Sequence, residues 1–228
     1  MVMEGSVSNL EVCNFAFTGQ FEELKKCILS DKSLATKTDQ DERTALHWAC
    51  SAGHAKIVSF LLDLGVEVNI QDDTCWTPLH IAASAGREEI VQFLISKGAQ
   101  LNCVNQNGCT PLHYAASKDR YEIALLLLEN GADPNVSDKL ESTPLHRASA
   151  KGNYRLIQLL LAQSASTNIQ DSEGNTALHL ACDEERVEAA KLLVEHGASI
   201  YIENKEEKTP VQMAKGSLGA LLKRIVEG

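Results

Sequence analysis

The chain has 228 residues, and 44% of them are hydrophobic, which is enough for a sizeable buried core. It carries 21 basic and 31 acidic residues, a formal charge of −10, and it has no basic block. Because nucleic-acid phosphates are bound by clustered Lys and Arg, this composition argues against a nucleic-acid partner. Protein partners with basic patches are favoured instead.

Neither a membrane span nor a secretory signal is expected. The longest purely apolar run, Ile123–Leu128, is far shorter than the ~20 residues of a membrane-spanning helix. The first thirteen residues have neither a basic segment nor an apolar one. The seven cysteines are scattered and lack a Cys-x-x-Cys pair, which is typical of reduced thiols. We therefore expect a cytoplasmic and nuclear protein without membrane contact.

Along the chain, a Thr-Pro/Ala-Leu-His motif recurs at a constant step of 33 residues. A glycine column and an asparagine column keep the same step, and such periodicity predicts a repeat protein. The motif begins, in chain order, at Thr44, Thr77, Thr110, Thr143 and Thr176, and a variant without His begins at Thr209.

Each repeat predicts two helices and a connector. Thr is a favoured N-cap, and Pro or Ala suits the first helical position. A Gly then separates the first helix from a second one with apolar residues at helical spacing, and a Gly-Ala pair ends the second helix. Asp119 and Glu185 replace the Gly between the helices, and Ser164 replaces a Gly at a helix end. We expect backbone strain at these three positions.

The Thr-Pro-Leu-His-x-Ala-Ala pattern over residues 44–212 resembles the ankyrin repeat. The resemblance implies an all-α ankyrin-repeat solenoid of seven helix-turn-helix units, of which the first and last are irregular caps. We expect a single domain over 1–228. Its parts are an N-terminal capping repeat at 1–37, five full repeats at 38–203 and a C-terminal capping repeat at 204–228.

Residues that recur at the repeat period are assigned to the scaffold. Cys50 and His54 have the i, i+4 spacing of a ligand pair, but no further ligand is in view, so we expect no metal. We find no phosphate-binding loop, nucleophile motif or acid pair, and we expect a non-catalytic protein without a cofactor. The five motif histidines are expected to hydrogen-bond each helix to the neighbouring loop: His47, His80, His113, His146 and His179.

Partner binding is expected in columns that vary between repeats, at the loop tips and on the exposed side of each first helix. Trp48 and Trp76, the two tryptophans, both fall in such columns rather than in core columns. The alternative is that Trp48 or, less readily at a loop tip, Trp76 packs between repeats. An acidic and aromatic region is followed by a basic stretch and then by an acidic one, which fits an elongated folded partner with patches of both signs. The predicted partner-binding residues are Asp41, Arg43, Trp48, Asp73, Trp76, Tyr114, Lys118, Arg147, Lys151, Glu173, Asp183 and Glu184.

Leu180, Cys182 and Glu184 spell Leu-x-Cys-x-Glu, the short motif through which several proteins dock into the retinoblastoma protein. Cys182 falls in a column that holds only small residues, as a buried helix–helix contact requires. Such docking motifs bind as extended segments, so the helix would have to unfold first. A scaffold role is expected for Cys182, and docking is the alternative.

Longer stretches, at 32–54, 104–118, 166–188 and 198–210, resemble the gankyrin family of seven-repeat, proteasome-associated ankyrin proteins. The resemblance implies an assembly chaperone of the proteasome regulatory particle, monomeric on its own. It would hold the C-terminal domain of a base AAA ATPase subunit in a concave groove. The positions that match the family's charged and aromatic contacts are Asp41, Arg43, Trp48, Asp73, Trp76 and Lys118; Glu173, Asp183 and Glu184 match more weakly.

The same resemblance implies an alternative of a different class. In it, the chain is an adaptor of the cell-cycle and ubiquitin pathways. It binds a cyclin-dependent kinase, a ubiquitin ligase, and the retinoblastoma protein through Leu180, Cys182 and Glu184.

Overall fold

The computed structural model describes residues 6–228, and this part of the chain is all-α, as predicted, with no strand. The expected lack of a secretory signal falls partly on residues 1–5, which lie outside the described part. A short 3-10 helix spans Lys32–Ala35. The α-helices are α1 (Glu11–Thr18), α2 (Phe21–Ser30), α3 (Ala45–Ala52), α4 (Ala55–Asp63), α5 (Pro78–Ala85), α6 (Glu88–Ser96), α7 (Pro111–Ser117), α8 (Tyr121–Glu129), α9 (Pro144–Lys151), α10 (Tyr154–Ala162), α11 (Ala177–Asp183), α12 (Val187–Glu195), α13 (Pro210–Met213) and α14 (Leu218–Glu227).

The chain forms two compact units, residues 1–106 and residues 107–228. In the first, α1, α3 and α5 pack in series, and each also packs on the helix that follows it. In the second, α7, α9, α11 and α13 pack in series in the same way. One helix pair leaves an apolar face that the next pair covers, so stacking builds the core of each unit. The predicted single domain and its repeat boundaries stay predictions.

Within residues 6–228, no helix combines the length and the apolar character needed to cross a membrane.

The repeated Thr caps the first helix of each repeat through the histidine three residues later. The Thr44 N–H donates to Nδ1 of His47 at 3.1 Å, and the Thr143 N–H donates to Nδ1 of His146 at the same distance. Nδ1 must carry a lone pair to accept this bond, so the ring proton of the neutral imidazole lies on Nε2. The predicted N-cap role of Thr is confirmed, with histidine completing the capping box.

The other ring nitrogen of these histidines links one repeat to the next. Nε2 of His113 donates to the Ser142 carbonyl at 2.9 Å, and Nε2 of His146 donates to the Asn175 carbonyl at 3.0 Å. The expected helix-to-loop bond is therefore confirmed. Burial holds the pKa below the ordinary 6.5 for four of these side chains, namely His47, His113, His146 and His179.

The backbone has a left-handed conformation at the three positions where a glycine is replaced. Asp119, Ser164 and Glu185 have φ values of +54°, +63° and +56°. Gly53, in the junction column of Asp119, has φ +91°. The expected strain is confirmed, because side chains with a Cβ rarely adopt this region.

The motif histidines predict a loss of stability on mild acidification. In the unfolded chain each imidazole takes up a proton near pH 6.5, whereas the folded chain takes it up only at lower pH, so the unfolded state binds more protons in between. The free energy of unfolding should therefore fall as the pH drops below about 6.5. Asp39, Asp72 and Asp138 do not contribute in this window, because their folded pKa values lie below 3.8. Urea unfolding between pH 7.5 and 5 measures the slope.

A His146→Gln variant is the matched control, because Gln212 in the last repeat already accepts the capping N–H of Thr209 through Oε1 at 2.7 Å. Removing one imidazole should reduce the slope by at most about 1.4 kcal/mol per pH unit. An unchanged slope in this variant would show that the histidine does not carry the effect.

Ser149 carries the single buried side-chain polar atom without a hydrogen-bond partner in the described part of the chain. It lies in α9, is 0% exposed, and stands in the column of Cys50, Ala116 and Cys182, all of which are also 0% exposed. Its hydroxyl therefore occupies a helix–helix contact that an alanine methyl fills elsewhere.

We expect Ser149→Ala to stabilise the protein by about 1 kcal/mol, because an unpaired buried hydroxyl is removed and alanine favours helix. Urea unfolding at pH 7.5 measures the change, with the exposed Ser217→Ala as control. A destabilised Ser149→Ala protein would show that the hydroxyl has a partner after all.

Candidate functional site

An aspartate or asparagine precedes each repeated Thr by five residues and builds the loop tip. Oδ1 of Asp72 accepts the N–H groups of Thr74 and Trp76 at 3.0 and 2.8 Å. Such an Asx turn holds the tip in one conformation. Sequence reasoning missed this column, although its 33-residue step is visible. Its members are Asp39, Asp72, Asn105, Asp138, Asp171 and Asn204.

In the first unit, the second carboxylate oxygen of these aspartates holds predicted partner-binding side chains. Oδ2 of Asp72 accepts from Nε of Arg43 at 3.0 Å, and the Asp72 side chain is 0% exposed. Oδ2 of Asp39 accepts from Nε1 of Trp48 at 2.8 Å. The guanidinium of Arg43 lies 5.1 Å from the centre of the Trp48 ring. A connected network of charge, hydrogen bond and cation–π contact therefore fixes Arg43.

The structure corrects the prediction that both tryptophans lie outside the core. Trp48 is buried, with the edge of its ring against Phe17 at 5.8 Å between ring centres. The alternative of packing between repeats therefore describes Trp48, and a direct role in partner contact stays a prediction. Trp76 is half-buried, and Asp73 at the same tip is exposed, while Asp41 is half-buried.

In the second unit, Asp138 plays the same part for Arg147. Oδ1 of Asp138 accepts the N–H groups of Leu140 and Ser142, and Oδ2 accepts from Nη2 of Arg147. Tyr114 is half-buried on α7. The predicted basic stretch is thus weaker than expected, because the buried carboxylate of Asp138 balances the charge of Arg147.

Two lysines remain as exposed cations of the predicted basic stretch. Lys118 follows Tyr114 by one helical turn, and Lys151 follows Arg147 by one turn, so each pair shares one side of its helix. The two helices, α7 and α9, pack on each other. The four residues therefore form one surface of the second unit.

The predicted acidic residues Glu173, Asp183 and Glu184 are exposed. The Glu173 N–H donates to Asp171 at 2.9 Å, so the Asx turn also fixes this tip. A carboxylate oxygen of Glu184 lies 3.8 Å from Nη2 of Arg186. The backbone carbonyl of Asp183 accepts from the Lys215 ammonium at 3.0 Å, which leaves its carboxylate free of that contact.

The loop carboxylates remain ionised despite their burial. Burial alone would raise the pKa of Asp72 and of Asp138, but the hydrogen bonds from backbone N–H groups and from Arg43 or Arg147 outweigh it and lower both values. The same balance lowers the pKa of Asp39, where Trp48 is one of the donors. The site is therefore built on fixed negative charges beneath the arginines.

The Leu-x-Cys-x-Glu residues belong to a packed helix. Cys182 is 0% exposed in α11, and burial raises the pKa of its thiol to about 12. Leu180 is half-buried, whereas Glu184 is exposed at the end of the helix. A partner can reach Cys182 only if α11 opens, which agrees with the column of small residues.

Cys50 and His54, which have the spacing of a ligand pair, both make structural contacts. Nε2 of His54 lies 2.9 Å from the Phe17 carbonyl, and Cys50 is fully buried. Over residues 6–228, no group of three His, Cys, Asp or Glu side chains is placed to hold a metal ion.

Comparison with known protein families identifies the family to which this helical chain belongs. The model of ankyrin repeats in three copies matches residues 64–138 and 131–204, and the model of ankyrin repeats in many copies matches residues 34–82. The chain belongs to the ankyrin-repeat family. Its fold also matches the ankyrin repeat domain of Bcl-3, with a TM-score of 0.84 over 95% of this chain and 98% of that one, at 24% sequence identity.

Among curated proteins, the chain is similar to 26S proteasome non-ATPase regulatory subunit 10 of Homo sapiens, with 72% identity over 76 residues. The match covers 33% of this chain and 34% of the human protein. The Dictyostelium discoideum protein of the same name is 39% identical over 32% of both chains. The probable 26S proteasome regulatory subunit p28 of Saccharomyces cerevisiae is 38% identical over 32% of this chain and 33% of its own. The chain thus spans about a third of these relatives, and the resemblance to the gankyrin family is confirmed.

The Arg43–Asp72 pair should show strong energetic coupling. Arg43→Ala leaves a buried carboxylate without its cation, whereas Asp72→Asn keeps the Asx turn, as Asn204 shows by accepting two backbone N–H groups. In a double-mutant cycle we expect a coupling of about 1–3 kcal/mol, measured by urea unfolding of the four proteins. The exposed Lys56–Glu22 pair, 3.9 Å apart, is the control and should show no measurable coupling. Additive effects at Arg43 and Asp72 would contradict the network.

Proposed function

We propose that this protein is a non-catalytic interaction module that acts as an assembly chaperone of the proteasome regulatory particle. It binds the C-terminal domain of a base AAA ATPase subunit through the loop tips and first helices of its repeats. It acts in the cytoplasm and nucleus and is a monomer on its own. The observation that carries the proposal is the 72% identity, over 76 residues and about a third of each chain, to a proteasome regulatory subunit.

The buried ion pairs that hold Arg43 and Arg147 in place support this proposal. A partner held only until assembly is complete needs a surface that is ready before it arrives, because ordering side chains on binding lowers affinity. Arg43 and Arg147 are both fixed by buried carboxylates. Exposed charges of both signs lie beside the elements that hold these arginines: Asp73 follows Asp72, the partner of Arg43, and Lys118 follows α7, which packs on the helix of Arg147. Such charges speed the encounter with a charged partner.

The alternative of a cell-cycle adaptor has less support. Its retinoblastoma contact requires Cys182, which is wholly buried. The kinase and ubiquitin-ligase contacts rest on the family resemblance, and no described feature favours them over the ATPase domain.

The proposal predicts tight one-to-one binding to one of the isolated C-terminal domains of the proteasomal ATPases, measured by isothermal titration calorimetry. Lys118→Ala should weaken that binding about three- to tenfold and reduce its salt dependence, because an exposed cation is lost from the contact. Trp76→Ala should weaken it more, since a large aromatic surface is lost.

Lys56→Ala is the matched control. Lys56 is an exposed lysine on α4, the second helix of its repeat, and the proposed site consists of loop tips and first helices. Circular dichroism of each variant checks that the fold is intact. Binding that survives both Lys118→Ala and Trp76→Ala would contradict the site, whereas the failure of every ATPase domain to bind would contradict the function.

A further inference from the structure

One loop tip of the second unit carries an apolar side chain where the other repeats carry polar ones. Leu140 is 62% exposed, among the most exposed of the large hydrophobic side chains in residues 6–228. It lies two residues after the loop Asp138. The same place in the other repeats holds Asp41, Thr74, Asn107, Glu173 and Glu206.

The backbone holds Leu140 firmly in this exposed position. Its N–H donates to Oδ1 of Asp138 at 2.8 Å, and its carbonyl accepts from the Ser172 N–H at 2.9 Å. The next residue, Glu141, has a left-handed conformation with φ +58°. Backbone hydrogen bonds on both sides of Leu140 therefore hold it in this exposed position.

Leu140 forms one wall of a cavity of about 490 Å³ within the second unit. Tyr114 contributes an aromatic ring, and His113 and Asp138 are also among the lining residues. Lys139 and Arg147 also line it, and the charge of Arg147 is balanced by Asp138, so Lys139 is the uncompensated cation of the lining. An apolar wall next to a cation is the composition of a pocket that takes an apolar side chain with a carboxylate beside it.

The lining of this cavity carries a net positive charge. Asp138 and Arg147 neutralise each other, and Lys139 is the remaining charged residue of the lining. Outside the lining, the exposed Lys118 and Lys151 lie one helical turn beyond Tyr114 and Arg147, and the exposed carboxylates of the same loops are Asp119, Glu141 and Glu173. This surface lies in a protein whose overall charge is −10, so it selects locally for an acidic segment.

We infer that this cavity, the Leu140 pocket, receives an acidic amphipathic segment of the partner protein. One aliphatic or aromatic side chain of that segment inserts between Tyr114 and Leu140, and a neighbouring Asp or Glu side chain pairs with Lys139. The inference rests on the proposed function and deepens it, because it assigns the chemistry of the segment that the second unit binds. Leu140 and Lys139 join the partner-binding residues.

The first test uses a probe that does not depend on the ATPase domains. A synthetic helical peptide of about 18 residues, with one Leu and two Glu on one side, is titrated into the ¹⁵N-labelled full chain. The counterpart peptide carries Lys in place of the two Glu. The acidic peptide should shift the amide signals of Lys139, Leu140 and Arg147, and the basic peptide should not. Equal shifts with both peptides, or none with the acidic one, would overturn the inference.

Variants at the tip give the second measurement. Leu140→Thr, which copies Thr74 of another repeat, should weaken binding of the acidic peptide about tenfold, because the buried apolar contact is lost. Leu140→Met should restore binding to within about twofold. Lys139→Gln should weaken binding less, and only at low salt, because salt screens the attraction of an exposed cation. The loop should stay intact in this variant, because the Lys139 N–H bond to the Asn107 carbonyl does not involve the side chain. Leu64→Thr, at a 45% exposed leucine of the first unit, is the control and should have no effect.

The same variants separate this inference from the proposed function. If an ATPase domain binds the wild type and Leu140→Thr equally well, the Leu140 pocket is wrong and the chaperone function stands. If no ATPase domain binds but the acidic peptide shifts the pocket signals, the function is wrong and the pocket serves another acidic partner. Loss of ATPase-domain binding in Leu140→Thr, with rescue by Leu140→Met, supports both.

Discussion

The structure depends on one neutral imidazole in each of the five repeats that begin with the Thr-x-x-His motif. Its Nδ1 accepts the N–H at the start of a helix, and in most repeats its Nε2 donates to a carbonyl of the following connector. A helix pair cannot cover its own apolar face, so the repeat needs a polar contact that sets the distance to its neighbour. The imidazole is a rigid ring with an acceptor and a donor on opposite sides, which suits it to this task. In the last repeat Gln212 takes over the cap alone, at a position where no further repeat follows in the described chain.

The buried aspartates connect the hydrogen bonds of the scaffold to side chains at the surface. Asp39, Asp72 and Asp138 each hold a loop tip through one oxygen and use the other for a side chain, which is Trp48, Arg43 and Arg147 respectively. The predicted partner-binding residues Trp48, Arg43 and Arg147 are thereby part of the same hydrogen-bond network that stabilises the fold. A substitution at Arg43 or Arg147 therefore affects stability as well as the proposed binding, whereas Lys118 and Leu140 are exposed side chains outside that network. In this chain the loop tips accordingly differ from repeat to repeat, while the Asp/Asn column beneath them keeps its 33-residue step.

Much of the fold follows from the sequence, because the information is repeated. The column containing Thr143 and His146 predicts both the capped helix and the inter-repeat bond, and the substituted glycines predict the left-handed backbone at Asp119. The site is harder to predict. The column of Trp48 holds residues of several sizes, so it looks like a surface column, but the Trp48 indole turns inward to reach Asp39. The pairing of Arg147 with Asp138 is equally invisible, since it depends on a side-chain direction that spacing does not set.

The buried cysteines can report local opening of the helices that contain them. Cys13 and Cys182 are 0% exposed, and burial raises the pKa of both thiols to about 12, so at neutral pH they are protonated as well as shielded. Cys50 is shielded in the same way. Any reaction of these three sulfurs with an alkylating reagent requires the surrounding helices to separate, whereas Cys27, Cys75 and Cys103 are partly exposed in the folded state. Because the shielded thiols lie in α1, α3 and α11, the rate at which each thiol is alkylated would show which of these helices opens first.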